Sequence, residues 1–182
     1  MDKKFSTVSN YLVSFNTIAL VPIWIENKLF TRVFENNIEF IVKLKPITII
    51  KKSLAFYGNS YKHALFFSRE SIGPMHKLPL MLSHDFGVPL IMMPTLSPES
   101  DSNIWVSFSA IDLYSINSHN HCVVHFTNSQ LLPVNVSHST MCRQFVLSQF
   151  LTNQFQKTRD KMNHPLSQSK LTYMPTQRNL IR

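Results

Sequence analysis

The sequence predicts an α+β fold: a single domain, mainly antiparallel β-sheet with short helices and a C-terminal helix. Three observations favour this class. A chain of 182 residues with 44% hydrophobic residues can build one full core, and its fourteen Phe suit half-buried sheet surfaces. Apolar runs of strand length alternate with short turns. Helical spacing is confined to a few segments, the longest of them near the C-terminus.

The first third of the chain predicts strands. Residues 11–24 are rich in β-branched and aromatic side chains and predict one or two strands, broken by Pro22. Residues 28–44 predict a hairpin around Asn36-Asn37, because asparagine tolerates the left-handed backbone angles of a tight turn.

A helix is predicted next. Pro46 suits its first turn, apolar residues follow at helical spacing, and Gly58 is a fitting stop. This register places Lys51 and Lys52 on or near the exposed face. Residues 61–70 are compatible with a second short helix or an irregular loop, and the local pattern does not decide between them.

Six further strands are predicted before the last helix, four of them in two hairpins. Residues 78–82 and 88–93 flank a turn at 84–87, and Pro79 and Pro89 lie near strand starts or edges, where a missing donor is tolerated. Residues 104–108 and 111–116 are strand-like and lead to another hairpin. That hairpin comprises residues 122–127 and 131–136, with Pro133 indicating an edge strand.

The C-terminal helix is predicted from about Ser139 to Met162 and ends before Pro165. Beyond it the composition is rich in Ser, Gln, Thr and Pro, which predicts a flexible basic tail over residues 164–182 and a domain over 1–163. The predicted apolar stripe of the helix consists of Leu147, Phe150, Leu151 and Phe155.

Charge is distributed unevenly along the chain, which carries a net charge of +8 and has a pI near 9.7. A basic balance indicates polyanionic partners. Residues 78–142 contain no Lys or Arg, whereas basic blocks precede and follow them. The cations of these blocks are Lys43, Lys45, Lys51, Lys52, Lys62, Arg69 and Lys77 before, and Arg143, Lys157, Arg159, Lys161, Lys170, Arg178 and Arg182 after.

Several functional classes are disfavoured. Two cysteines form no disulfide framework, which fits a reducing cytosol. Residues 11–25 lack a signal-peptide cleavage site, and no apolar run is long enough to span a bilayer. Carboxylates are few and scattered, and no Gly-rich phosphate loop or nucleophile elbow occurs, so neither catalytic residues nor a cofactor are predicted.

A cluster of histidines and cysteines raises the alternative of a zinc site. It comprises residues 119–125 with His138 and Cys142. Zinc needs about four converging ligands, and no spacing here repeats a known finger or ribbon. We therefore expect polar histidines on an exposed sheet face, with Cys122 in the core and no bound metal.

Aromatic residues are interleaved with the first basic block. Cations suit phosphates, and flat side chains suit wedging or stacking on bases, so this segment is chemically suited to nucleic acid. The alternative is that the aromatic residues belong to the core and the lysines are solvated; composition leaves both open. The aromatic residues are Phe56, Tyr57, Tyr61, Phe66 and Phe67.

An ordered series of short segments resembles the competence transcription factor family, ComK, of Gram-positive bacteria. The likeness extends over about residues 38–155. Residues 62–67 depart from it, because they are apolar and glycine-free where the family tends to have a basic, glycine-containing loop. The segments are Lys45-Pro46, residues 55–61, 76–79 and 93–97, Trp105, residues 124–129, and Leu132-Pro133.

The resemblance implies a cytoplasmic, nucleoid-associated activator of DNA-uptake and recombination genes that binds A·T-rich double-stranded DNA chiefly through the minor groove. It also implies homo-oligomers on paired half-boxes, RNA polymerase as a partner, and a Clp-protease adaptor held by the tail around Leu171, Tyr173 and Pro175. The alternative is a regulator without DNA affinity that titrates the adaptor or a partner activator. The predicted DNA contacts are Lys51, Lys52, Lys62, Arg69 and Lys77, followed by Arg143, Lys157, Arg159 and Lys161.

Overall fold

The computed structural model describes residues 5–117 and 121–163. Within them the mixed α and β content, including the C-terminal helix, confirms the predicted α+β class. In chain order the elements are β1 (Thr7–Val8), β2 (Thr17–Ile25), β3 (Lys28–Glu35), β4 (Ile38–Val42), α1 (Pro46–Phe56), α2 (Tyr61–Ile72), β5 (Leu80–Asp85), β6 (Val88–Pro94), β7 (Trp105–Ser107), a 3₁₀ helix (Phe108–Ala110), β8 (Ile111–Ile116), β9 (Cys122–Phe126), β10 (Leu131–Val134) and α3 (His138–Asn163).

The strands form two sheets. A seven-stranded sheet has the order β1-β4-β3-β2-β7-β6-β5, and a three-stranded sheet has the order β10-β9-β8. Every pairing is antiparallel except that of β1 with β4. The predicted hairpins are confirmed, and Pro133 lies on the edge strand β10 as expected.

Both faces of the large sheet are buried. Leu20, Met92 and Trp105 pack with α1 and α2 on one face, whereas their neighbours Met93 and Val106 pack with the small sheet on the other. A strand covered on both faces has no polar alternation. This arrangement explains why β6 is an uninterrupted apolar run in the sequence.

The expectation that Pro22 breaks a strand is wrong. A single strand, β2, runs through Pro22, and residues 9–16 before it form no strand. On one side β2 pairs with β3 over most of its length, but on the other side β7 pairs only with Ala19 and Leu20. Pro22 therefore lies where the strand has one neighbour and the missing N–H is tolerated.

Two helices, α1 and α2, follow β4, and the second decides between the helix and the loop that the local sequence left open for residues 61–70. α1 begins at Pro46, as predicted, and Tyr57 and Gly58 follow its end. Residues 61–72 form a true helix, α2, whose N-cap is Ser60: its Oγ accepts from the backbone N–H of His63 at 3.2 Å. This cap supplies one of the acceptors that the first turn of a helix lacks.

The predicted stripe of α3 is wrong at Phe150. Leu147 and Leu151 are buried, but Phe150 is 44% exposed. Its place on the covered face is taken by Gln144 and Ser148, and Ser148 satisfies its own hydroxyl by donating to the Gln144 carbonyl at 2.9 Å. The covered face is thus partly polar, which an apolar pattern cannot indicate.

The direction of the strands defines two ends of the seven-stranded sheet. β2 and β6 are both antiparallel to β7, so they run the same way. The turn Phe86-Gly87 before β6 therefore lies at one end, here called the hairpin end, and the turn Glu26-Asn27 after β2 lies at the opposite end. α3 starts near Lys77, before β5, and reaches Gly87 with Arg159, so its C-terminus lies at the hairpin end.

Candidate nucleic-acid interface

Three of the predicted DNA contacts converge on the loop between α2 and β5. Arg69 of α2 lines a depression with the residues of this loop, and Arg143 of α3 lines an adjoining crevice of about 290 Å³ together with Lys77. The Arg143 Nη2 lies 3.5 Å from the Met75 sulfur. We call Arg69, His76, Lys77 and Arg143 the loop cluster.

The loop cluster is held in place by the start of α3. The buried Gln144 side chain donates from Nε2 to the Lys77 carbonyl at 3.2 Å, which ties the helix to the loop. No ion pair formed within residues 5–117 and 121–163 involves Arg69, Lys77 or Arg143. Cations from separate elements that are not matched by carboxylates form a site suited to phosphate oxygens.

The lysines of α1 are exposed, as predicted, but they are not equivalent. The Lys51 Nζ lies 4.0 Å from a Glu99 carboxylate oxygen and 5.2 Å from the centre of the Tyr61 ring. Lys52 donates to the neutral Asn10 amide oxygen at 3.1 Å and forms no ion pair with a carboxylate among the described residues. An exposed ion pair stabilises a protein by only about 0–1 kcal/mol. The contact with Glu99 is therefore weak, and Lys51 remains able to bind a phosphate instead.

Tyr61 is held as a neutral phenol beside Lys51. Burial raises the pKa of its hydroxyl, and the nearby Glu99 carboxylate raises it further, while Arg69 acts in the opposite direction. Its hydroxyl therefore remains a hydrogen-bond donor throughout the physiological pH range.

Some aromatic residues of the first basic block belong to the core, and others are exposed to solvent. Tyr57 and Tyr61 pack against the core, and the Tyr57 hydroxyl donates to the Val13 carbonyl at 2.8 Å. In contrast, Phe56 and Phe66 are largely exposed, Phe66 by 62%. Lys62 is exposed on the first turn of α2.

The remaining predicted cations lie on the last turns of α3. Lys157 and Lys161 are exposed, whereas Arg159 is engaged: its Nη1 donates to the Gly87 carbonyl at 3.0 Å, and its Nη2 lies 3.0 Å from an Asp160 oxygen. Arg159 also lines an apolar groove of about 290 Å³ with Phe67 and Phe155.

Phe86, at the tip of the β5–β6 hairpin, was missed by sequence reasoning. Its side chain is 99% exposed, and its φ of 44° is unusual for a bulky residue. The sequence feature that could have indicated its exposure is a phenylalanine immediately before the glycine of a two-residue turn.

The histidine cluster forms no metal site among the described residues, where no three His, Cys, Asp or Glu side chains are placed to hold an ion. Cys122 is buried, and burial raises its pKa. His125 lies within 2.8 Å of the Ser115 hydroxyl, and the His138 ring packs on Tyr114. His119 lies outside the described residues.

Two further predictions concern the C-terminal tail and membrane-spanning helices. The predicted adaptor contacts Leu171, Tyr173 and Pro175 lie outside the described residues. Among the helices that are described, none has the length and apolar character needed to cross a bilayer.

Comparison with known proteins identifies the class. The family model of the ComK protein matches residues 8–160, and the chain belongs to this family. A competence transcription factor from Bacillus subtilis (strain 168) is 26% identical over 162 residues, which cover 89% of this chain and 82% of that relative. No solved structure matches the chain significantly.

Proposed function

We propose that this protein is a DNA-binding transcriptional activator of competence genes, those for DNA uptake and recombination, and that it recognises A·T-rich promoter boxes mainly through the minor groove. The observation that carries the proposal is the family match over residues 8–160, with a relative named as a competence transcription factor. A protein of this kind is a regulator rather than an enzyme.

The exposed cations support DNA as the ligand. Arg69, Lys77 and Arg143 come from α2, the α2–β5 loop and α3, and are not matched by carboxylates in the described chain. The narrow minor groove of A·T-rich DNA has an enhanced negative potential that attracts such side chains, and it is recognised by its width. The resulting affinity depends strongly on salt, because each neutralised phosphate releases counterions.

The proposal extends to partners. The activator acts in the cytoplasm at the nucleoid, as a homo-oligomer on paired half-boxes, and contacts RNA polymerase there. A Clp-protease adaptor holds the chain through the tail at Leu171, Tyr173 and Pro175. These assignments rest on the family alone.

A second candidate function is a regulator that does not bind DNA and titrates the adaptor or a partner activator. The observation that favours it is the departure of residues 62–67 from the family pattern, now seen as part of α2, with Phe66 exposed where a basic side chain would attract phosphate.

A binding titration separates these two functions. Fluorescence anisotropy is measured with a labelled A·T-box duplex and with a G·C-substituted duplex, at several salt concentrations. An activator binds the first more tightly, whereas equal binding or no binding contradicts the proposal.

The double variant R69Q/R143Q tests the loop cluster in the same assay. We expect the slope of log K against log salt to flatten by about 1.8, since each phosphate contact contributes roughly 0.9. The charge-conserving pair R69K/R143K is the control and should keep most of the slope. An unchanged slope in R69Q/R143Q would place the DNA elsewhere.

A further inference from the structure

The tip of the β5–β6 hairpin presents an aromatic side chain to solvent. The turn consists of Phe86 and Gly87, with φ of 44° and 81° respectively, as in a type I′ turn. Gly87 takes this conformation at little cost, but a phenylalanine does not. Phe86 is 99% exposed and gains no burial in return.

Three other hairpins, whose turns lie within the described residues, show that a tight turn in this fold does not require an aromatic residue. The β2–β3 turn uses Glu26 and Asn27 at positive φ, the β3–β4 turn uses Asn36, and the β9–β10 turn uses Ser129. All are polar, and asparagine is the residue that such positions favour. A strained, fully exposed aromatic at the β5–β6 turn indicates a function at its tip.

Positive charge and a rigid support accompany Phe86. The C-terminus of α3 lies at the same end of the sheet and brings Lys157, Arg159 and Lys161; the carboxylate of Asp160 is paired with Arg159. The hydrogen bond from Arg159 to the Gly87 carbonyl braces the turn from beneath. The aromatic tip is therefore held on a short hairpin at the end of the sheet where Lys157 and Lys161 are exposed, with the carboxylate of Asp85 immediately before it in sequence.

We propose that Phe86 is a wedge that this protein inserts from the minor groove between two neighbouring base pairs of its bound DNA. The proposal rests on the DNA-binding function proposed above. Proteins that bind the minor groove use phenylalanine and other apolar side chains to unstack a base step partially. The ligand it defines is duplex DNA with an easily opened pyrimidine–purine step, of which TA is the one available to A·T-rich sequence.

The test replaces Phe86 with the residue that the turn itself prefers. F86N creates an Asn-Gly turn, so the fold is retained, and a thermal melt verifies this. The matched control is W24T, which removes another exposed aromatic at the opposite end of the sheet. A third variant, F86L, keeps an apolar side chain that is able to wedge.

The readout is the emission of 2-aminopurine placed at a TA step inside the A·T-box duplex, which rises when the base unstacks. We expect wild type, W24T and F86L to raise the emission. F86N should bind roughly tenfold more weakly, as for loss of one base–aromatic stack, with its salt slope unchanged and without the rise in emission.

The outcomes separate the wedge from the function on which it rests. Wild type that binds the duplex without a rise in emission, or F86N that raises it equally, overturns the wedge alone. F86N that changes only the oligomeric state in size-exclusion chromatography also overturns it, and assigns Phe86 to a protein contact. Wild type that does not bind the A·T duplex at all overturns the proposed function.

Discussion

Arg159 donates a hydrogen bond from Nη1 to the carbonyl oxygen of Gly87 at 3.0 Å, across 72 residues of sequence. This contact fastens the last turns of α3 to the tip of the β5–β6 hairpin. The rings of His84 and Phe155, with centroids 5.1 Å apart, join the same two elements. Glycine is needed at position 87 for two reasons: its φ is 81°, and a Cβ there would lie 1.7 Å from the Arg159 Nη1.

Removing the guanidinium should loosen the hairpin. We expect R159Q to lower the free energy of unfolding by about 1 kcal/mol, the usual contribution of one intramolecular hydrogen bond, and to speed hydrogen exchange in the β5–β6 turn. K157Q, which removes a nearby exposed charge, is the control. Equal exchange in the two variants would show that Arg159 does not brace the turn.

Two glycines with similar backbone angles make a matched pair. Gly58 has φ of 76° and open space around its missing Cβ, so G58A should cost only backbone strain, about 1–2 kcal/mol. G87A adds displacement of the Arg159 side chain and should cost about 1 kcal/mol more. Urea denaturation measures both. The added loss should vanish when G87A is combined with R159Q, and a fully additive double variant would argue against the contact.

The orientation of α3 is tested by two adjacent residues. Leu151 is completely buried, so L151A should cost about 2–5 kcal/mol through lost burial and a cavity. Phe150 is 44% exposed, so F150A should cost less, about 1 kcal/mol. Comparable losses for the two variants in urea denaturation would contradict the described register of the helix.

The lysines of α1 can be tested through salt dependence. If both contact phosphates, K51Q/K52Q should flatten the slope of log K against log salt by about two units, with similar weakening for every duplex sequence. K28Q/K43Q carries the same charge change and is the control, because Lys28 and Lys43 line a surface depression that includes no residue of α1. A slope as steep as that of wild type in K51Q/K52Q would remove these lysines from the interface.

Local patterns predicted the elements whose determinants are local. The Asn36-Asn37 turn and the start of α1 at Pro46 depend on residues a few positions apart. The Ser60 cap of α2 is equally local, but the sequence left residues 61–70 open between a helix and a loop. Residues 11–16 were predicted as strand because residues 11–24 are rich in β-branched and aromatic side chains, but their conformation is set by distant partners. The buried Ser53 Oγ accepts from the Val13 N–H at 2.8 Å, forty residues away in sequence, and Tyr57 donates to the Val13 carbonyl.

The candidate site shows the same division. Charge blocks identified the basic segments, and the exposure of Lys51 and Lys52 followed from helical periodicity. Helical periodicity could not predict which cations lie close together. Arg69 and Arg143 meet at one loop only because α2 and α3 pack together. Nor could it distinguish an arginine that faces solvent from Arg159, which is held by a backbone carbonyl.

The two tryptophans of the chain lie at opposite extremes of exposure. Trp105, in the centre of the large sheet, is 0% exposed, whereas Trp24, beside the turn at the opposite end, is 60% exposed. We therefore expect two separate optical probes, with Trp105 emitting at shorter wavelength and shielded from iodide, and Trp24 emitting at longer wavelength and quenched. In W24T the remaining emission comes from Trp105 alone and reports the integrity of the core in every variant built on it.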